Sequence, residues 1–314
     1  MKKPLLAVVG PTATGKTEVG VNLSQKIDGE VVSADSMLVY KGMDIGTAKP
    51  SMEERQGIPH HMIDVAVPTE DYSVARYQRE ARKVVAEIHN RNKIPVIVGG
   101  TGLYIRAVVD EYNFDVPGEN REIRQSLLQQ ANEKGTQWLH RELSLVDPRA
   151  AERIHHKNVR RVIRALEVYK LTGKPFSSFQ QAEYKSRPEY KVALFGLTMP
   201  REILYKRIEK RVDIMLEQGL VEEVQGLIKQ GVKAHVTSMQ GLGYKEIASY
   251  LAGELTLAQA VELIKRDTRR YAKRQLTWFK RDPRIIWFDM NKYNNIDLVA
   301  DEIIKTWQEY NSTL

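Results

Sequence analysis

The sequence predicts an α/β protein, a P-loop doubly wound parallel-sheet core carrying an inserted all-helical domain. Three observations lead there. Short apolar runs alternate with helical patterns along the 314 residues. A phosphate-loop motif follows the first of these runs. One long stretch, 113–191, holds helical patterns but no convincing strand.

Five apolar runs read as buried parallel strands: Leu5–Val9, Val31–Ser33, Pro95–Val98, Val192–Leu197 and Ile285–Phe288. Helical patterns separate them, such as Ser73–Asn90 with Ser73 as N-cap. The third and fourth runs are too far apart for an ordinary crossover. Turn-like Asp115-Val116-Pro117-Gly118 opens the intervening stretch and Ser186-Arg187-Pro188 closes it. The expected organisation is therefore a catalytic core, 1–112 with 192–314, and a helical insertion, 113–191.

Composition sets limits. At about 150 residues per domain, the length suggests two domains with real cores. With 42% hydrophobic and 28% charged residues, disordered and collagen-like chains are excluded. No apolar run nears the roughly 18 residues that a membrane helix needs, so no membrane association is expected. The start, Met1-Lys2-Lys3 and Leu5 to Val9, mimics a signal peptide, but Gly10-Pro11 ends it early without a cleavage site. The absence of cysteine excludes disulfides, zinc thiolate sites and Cys nucleophiles, and fits a cytoplasmic setting.

The net charge of +8 is concentrated. Lys265–Arg284 carries nine basic residues against Asp267 and Asp282, or +7, and Arg153–Lys170 carries six against Glu167, or +5. The remainder is −4. Two basic elements on an acidic body suit a polyanion ligand, although solvated helix faces would look alike. Lys157, Arg160, Arg161 and Arg164 are spaced to share one helix face, with Val159, Val162, Leu166 and Tyr169 opposite. Lys265, Arg269, Lys273 and Lys280 repeat the design, widened by Arg266 and Arg270, with Ile264, Tyr271, Ala272 and Phe279 opposite. Arginine suits bidentate phosphate contacts and stacking on bases.

Gly10-Pro11-Thr12-Ala13-Thr14-Gly15-Lys16-Thr17 matches G-x-x-x-x-G-K-[ST] between a strand and a helix. Its backbone can wrap a phosphate with N–H groups inward, at the positive end of a helix. Lys16 would meet the terminal phosphate, and Thr17 would hold Mg²⁺. ATP is the usual occupant, but any diphosphate satisfies the same donors. Ligands in such folds lie beyond the carboxyl ends of the strands. Asp35 and Ser36 follow the second strand, and Gly99-Gly100-Thr101-Gly102 follows the third. A nucleotidase usually carries an acid there, and here there are glycines. Asp35 remains as metal-supporting acid or general base, and Thr101 as ligand contact or helix N-cap. The loop with Asp44 and Thr47 could close over the site. The adjacent pairs His60-His61 and His155-His156 show no catalytic or metal spacing and suggest structural or surface roles.

These residues are similar to a known family. Gly10–Thr17 (GPTATGKT), Ser33–Pro50 (SADSMLVYKGMDIGTAKP), Pro59–Asp64 (PHHMID), Val98–Tyr104 (VGGTGLY), Arg161–Glu167 (RVIRALE), Gly241–Glu246 (GLGYKE) and Ala272–Trp278 (AKRQLTW) resemble the bacterial tRNA dimethylallyltransferases, or tRNA isopentenyltransferases, in order and across nearly the whole chain. The resemblance implies transfer of a dimethylallyl group from dimethylallyl diphosphate to N6 of adenine 37, beside the anticodon of tRNAs reading codons that begin with U. By resemblance the loop residues Gly10, Thr12, Ala13, Thr14, Gly15, Lys16 and Thr17 hold the leaving diphosphate with Mg²⁺. Asp35 accepts the N6 proton, Thr101 orients diphosphate or base, and Lys16 completes the catalytic set. The implied tRNA contacts are Asp35, Ser36, Met37, Leu38, Thr101, Arg124, and Val159, Arg160, Arg161, Val162, Ile163. Arg164, Arg269, Arg270, Lys273 and Arg274 join them from the basic helices. The partner is the tRNA anticodon arm, and a monomer is expected. The chain departs from the family at His156-Lys157, often Pro-Asn, and at Leu38, often Gln. It lacks the Cys/His zinc module of eukaryotic members. The competing readings are a P-loop small-molecule kinase with a helical lid and a nucleic-acid-binding P-loop ATPase.

Overall fold

A computed structural model describes residues 2–112, 118–179 and 185–312. The chain divides into two compact units, Met1–Glu111 with Lys185–Leu314, and Tyr112–Tyr184.

The first unit is built on a six-stranded parallel sheet. Its strands are β1 (Lys3–Val9), β2 (Gly29–Ser33), β3 (His60–His61), β4 (Ile94–Gly99), β5 (Tyr190–Thr198) and β6 (Ile285–Asp289), in spatial order β3-β2-β4-β1-β5-β6. All five strands read from the sequence are present, each slightly longer. The short edge strand β3 was not foreseen. It pairs with β2 through His60 and His61 and carries no apolar pattern that would mark it. The second boundary also differs. Residues 185–191 belong to the first unit, because β5 begins at Tyr190 and pairs with β1 from Lys3↔Tyr190 onward. The proposed turn over 115–117 lies outside the described residues.

Among the described residues, the helices of this unit are α1 (Lys16–Lys26), α2 (Val74–Asn90) and α3 (Gly102–Val109), then, beyond the second unit, α8 (Arg201–Glu217), α9 (Leu220–Lys229), α10 (Tyr244–Leu251), α11 (Leu257–Phe279) and α12 (Ile296–Ser312). Ser73 caps α2 as expected, accepting from the Arg76 N–H. The sheet buries Leu6, Val8, Val96, Val98, Phe195 and Leu197 against Val19 and Leu23 of α1 and Val299 and Ile303 of α12. A parallel strand covered on both faces needs this continuous apolar run, which is why these strands were legible.

The second unit holds α4 (Arg121–Lys134), α5 (Thr136–Val146), α6 (Pro148–Arg153) and α7 (Val159–Thr172), with no strand among the described residues. Leu127, Leu139, Leu143, Ile154, Val162 and Leu166 form its core. The predicted apolar side of α7 is thus confirmed for Val162 and Leu166. Gly173, with φ 68°, ends the helix in the left-handed conformation that glycine tolerates best.

Candidate active site at the strand ends

The strand order explains why distant loops converge. β4 lies between β1 and β2, so the Gly99–Thr101 turn sits between the phosphate loop and Asp35. Gly99 is required by closeness, since a Cβ there would lie 2.2 Å from the Ala34 carbonyl oxygen. That approach lets the Thr101 N–H donate to Ala34 O at 3.1 Å.

The loop from Gly10 to Thr17 wraps as the motif requires. Gly10 has φ 144° and Gly15 φ 88°, and Ala13 also takes a left-handed φ of 66°. Gly15 is the N-cap of α1 and offers no side-chain cap, leaving the first N–H groups of that helix for an anion. The Thr14 hydroxyl donates to Pro11 O at 2.8 Å, and Lys16 Nζ donates to the same oxygen at 2.6 Å. Burial pushes the Lys16 ammonium down to about 7; the Asp35 charge opposes this and Arg211 adds to it. A dianionic ligand would restore the charge.

Gln275 of α11 ties the loops together. Its Oε1 accepts from the Thr12 N–H at 2.9 Å, and its Nε2 donates to Gly100 O at 2.9 Å. Thr101 is the N-cap of α3 without a capping hydrogen bond. Instead its Oγ1 accepts from the Ser36 N–H at 3.1 Å. Asp35 Oδ1 accepts from the Met37 N–H at 2.9 Å, which fixes the carboxylate beside this cluster. Tyr271, assigned from the sequence to the packing side of its helix, instead reaches the site. Burial and then the Asp35 charge push its phenol up to about 12, against hydrogen bonds with Thr101 and Gln275.

Two adjoining cavities share Ala13 and Arg211. The larger, about 700 Å³, is lined by Lys16, Thr17, Glu18 and Glu54 together with Arg207, Lys210 and Arg211 of α8. The smaller, about 330 Å³, is lined by Asp35, Ser36, Met37, Val212, Tyr271 and Arg274 among others. The first is suited to phosphate oxygens, and the second offers apolar wall beside a carboxylate. Arg211 lines both cavities; burial lowers its pKa, and the Asp35 and Glu54 charges oppose that. Sequence reasoning missed Arg207, Lys210 and Arg211. Their spacing puts them on one helix face, but Glu202, Glu209, Asp213 and Glu217 dilute α8 to +1 and hid it from a charge scan.

The other expected contacts divide. Asp35, Ser36, Met37 and Arg274 line the smaller cavity, and Leu38 is half-buried beside it in sequence. Lys273 and Arg274 are exposed and border a hollow of about 210 Å³ with Thr277, Trp278 and Arg281. The +7 of this segment is partly neutralised by neighbours. Lys265 pairs with Asp213 at 2.6 Å, Arg269 with Glu209 at 2.6 Å and Arg284 with Asp110 at 2.8 Å, while the Arg270–Asp267 and Arg284–Asp282 pairs lie within the segment and are already counted in its +7. In the second unit, Arg160 and Arg161 are exposed and Val159 is half-buried. Val162 and Ile163 are buried at 0% and 7% exposure, so their side chains serve the core rather than an RNA surface. Arg124 and Arg164 both grip the buried Glu167, at 2.9 and 2.6 Å. The shared face predicted for Lys157, Arg160, Arg161 and Arg164 is therefore reduced, with Lys157 ahead of the helix start and Arg164 drawn to Glu167. The histidine pairs are structural, as expected: His61 pairs with Glu30 at 2.6 Å, and His155 accepts from the Lys157 N–H.

The family model for IPP transferase matches residues 38–282. The chain is 53% identical over 304 residues to the tRNA dimethylallyltransferase of Carboxydothermus hydrogenoformans, covering 97% of each. It is 51% identical to that of Pelotomaculum thermopropionicum, covering 97% of this chain and 96% of the relative. Among solved structures, the tRNA isopentenylpyrophosphate transferase of Bacillus halodurans is 45% identical, with 99% of each chain covered and a TM-score of 0.74. A eukaryotic dimethylallyltransferase caught acting on tRNA is 30% identical with a TM-score of 0.77, covering 92% of this chain and 74% of that one. The chain belongs to the IPP transferase family, the tRNA dimethylallyltransferases.

Proposed function

We propose that the chain transfers the dimethylallyl group of dimethylallyl diphosphate to N6 of adenine 37, beside the anticodon of tRNAs reading codons that begin with U, releasing diphosphate. The observation that carries this reading is the pair of cavities meeting at Ala13 and Arg211, with phosphate donors on one side and Asp35 on the other. A diphosphate in the phosphate loop would present its allyl carbon toward the carboxylate.

The chain's residues can then be given roles. The N–H groups at the start of α1, Lys16 and Arg211 face the negative charge that grows on the departing diphosphate, and so favour the transition state over bound substrate. The exocyclic amine of adenine is a weak nucleophile, because its lone pair is delocalised into the ring. Asp35 accepts the N6 proton as the new N–C bond forms. Thr101 and Tyr271 orient the incoming base beside it. The base must leave its stack, at a cost of a few kcal/mol, which contacts at Arg274 and elsewhere offset.

Thr17 is exposed on the first turn of α1 and lines the diphosphate cavity. Among the described residues no cluster of three His, Cys, Asp or Glu could hold a metal ion. Thr17 would hold Mg²⁺ beside the diphosphate, where the ion would neutralise phosphate charge. A monomer is the proposed state. A cytoplasmic setting suits a tRNA substrate. Among the described residues no helix is long and apolar enough to cross a membrane.

A phosphate-transferring P-loop enzyme usually carries an acid near the β4 end, and Gly99-Gly100 stand there. Incubation with unmodified tRNA, Mg²⁺ and either labelled dimethylallyl diphosphate or γ-labelled ATP separates the readings. Label should enter tRNA only from the allyl diphosphate. Label entering from ATP, or from neither, would sink the proposal.

A further inference from the structure

The loop after β2 is fastened to the far half of the chain by one side chain with no role so far. The Glu223 carboxylate, in the first turn of α9, accepts from the backbone N–H groups of Asp44, Ile45 and Gly46 at 2.8, 2.7 and 3.1 Å. The Tyr244 hydroxyl donates to the same carboxylate at 2.7 Å. Three successive N–H groups turned to one point form an anion-binding nest, and here the protein supplies the anion itself. The fit leaves no slack, since a Cβ on Gly46 would lie 2.6 Å from the Tyr244 ring. The other side of the loop is stapled by Lys49, whose Nζ donates to Tyr40 O and to Asp44 and Asp64.

What this loop touches gives the contact its meaning. Gly46 and Thr47 line the smaller cavity, and Ala48 and Pro50 line the larger one. Four of the seven residues from Asp44 to Pro50 thus form wall for one compartment or the other, and Glu223 holds that segment from outside. No Glu223 atom lines either cavity, so it acts through the loop.

We propose that Glu223 is a positioning residue that keeps the Asp44–Pro50 wall closed against water while the allyl diphosphate is bound. The inference rests on the prenyl-transfer reading above. An allyl carbon losing diphosphate is open to any nucleophile, and water is the abundant competitor. If the wall loosens, the allylic C–O bond to diphosphate still breaks. A water oxygen then forms the new C–O bond and releases its proton to solvent. The products are dimethylallyl alcohol and diphosphate, with the tRNA unmodified.

The test compares wild type with Glu223→Gln, Glu223→Asp and Tyr244→Phe, using labelled dimethylallyl diphosphate with tRNA. Label in tRNA and label in extractable alcohol are counted separately, and melting is followed in parallel. Glu223→Gln loses the charge that three N–H donors share, so KM for the allyl diphosphate should rise about ten-fold or more. The alcohol fraction should rise with it, while kcat at saturation changes less. Glu223→Asp should restore part of the coupling, and Tyr244→Phe should fall between wild type and Glu223→Gln. A Glu223→Gln protein that melts like wild type and keeps its KM and its coupling would overturn the proposal. So would a loss of kcat with the alcohol fraction unchanged. Should Glu223→Gln melt too low to assay, Glu223→Asp carries the decision by the same two readouts, because Tyr244 itself lines the smaller cavity. If wild type yields no prenylated tRNA at all, the parent reading fails instead.

Discussion

Replacing Lys16 with methionine probes both the site's chemistry and its electrostatics. In the ligand-free chain the ammonium sits at about 7 because burial strips its hydration. It is therefore about half charged at pH 7 and about one-tenth charged at pH 8. A bound diphosphate lies against it and drives it to the charged state. Wild type should consequently take up about 0.5 proton per diphosphate at pH 7 and about 0.9 at pH 8 beyond the uptake of Lys16→Met, which corrects for the ligand's own titration. Calorimetric titrations with diphosphate in buffers of different ionisation enthalpy measure this difference directly. Above pH 7, affinity should fall toward ten-fold per pH unit relative to Lys16→Met. Stability supplies an independent sign. The folded value lies below the unfolded 10.5, so the unfolded chain binds more protons between the two, and stability should rise from pH 7 to 10.5 on this account. Lys16→Met should thus raise the melting temperature most below pH 7 and hardly at all above 10.5. Equal proton uptake by both proteins at pH 8 would refute the reasoning, because Lys16 would then already be charged in the empty site.

Other expectations follow from the same geometry. Asp35→Ala should lower turnover by roughly two to four decades while leaving diphosphate binding nearly intact, and single-turnover assays with unchanged rates would remove its role as base. Gln275→Leu leaves the Thr12 N–H and the Gly100 carbonyl without their shared partner and should cost about 1–3 kcal/mol each in a denaturant titration. Arg160→Ala, Arg161→Ala and Arg274→Ala should each flatten the salt dependence of tRNA binding by up to about one unit, whereas Arg269→Ala should do less because Glu209 already neutralises it. Burial raises the Glu167 carboxyl, yet hydrogen bonds from Arg124, Arg164 and the Asn120 N–H outweigh it, leaving its pKa below the usual value. Its contribution is present above the unfolded glutamate pKa and lost as pH falls through the folded one. Glu167→Gln should therefore narrow the acid-melting difference between pH 7 and pH 3.

Local patterns were the part that a linear reading could recover. Five strands were legible because a buried parallel strand is an unbroken apolar run, and β3 was not because two adjacent histidines make no apolar run. The phosphate loop was legible because its glycines, lysine and threonine act within eight consecutive residues. The basic helices were seen as charge, but which arginines face outward was not. Arg269 and Arg164 meet carboxylates that the charge count could not assign to them. Val162 and Ile163 were carried over as RNA contacts although the core of α7 needs them.

The sequence by itself determined the fold class, the phosphate-loop motif and Asp35 as a candidate, because each is written in neighbouring residues, in unbroken apolar runs or in a period of 3.6. Only the tertiary structure decided that Gln275 holds the loop from 263 positions away, that Arg211 lines the cavity beside the phosphate loop, and that Glu223 fastens the loop at Asp44–Gly46. Those meetings depend on β4 lying between β1 and β2 and on α8, α9 and α11 folding back over the strand ends. Contacts across such distances arise from burying apolar faces together, and no local pattern of residue types records which polar side chains will meet when they do.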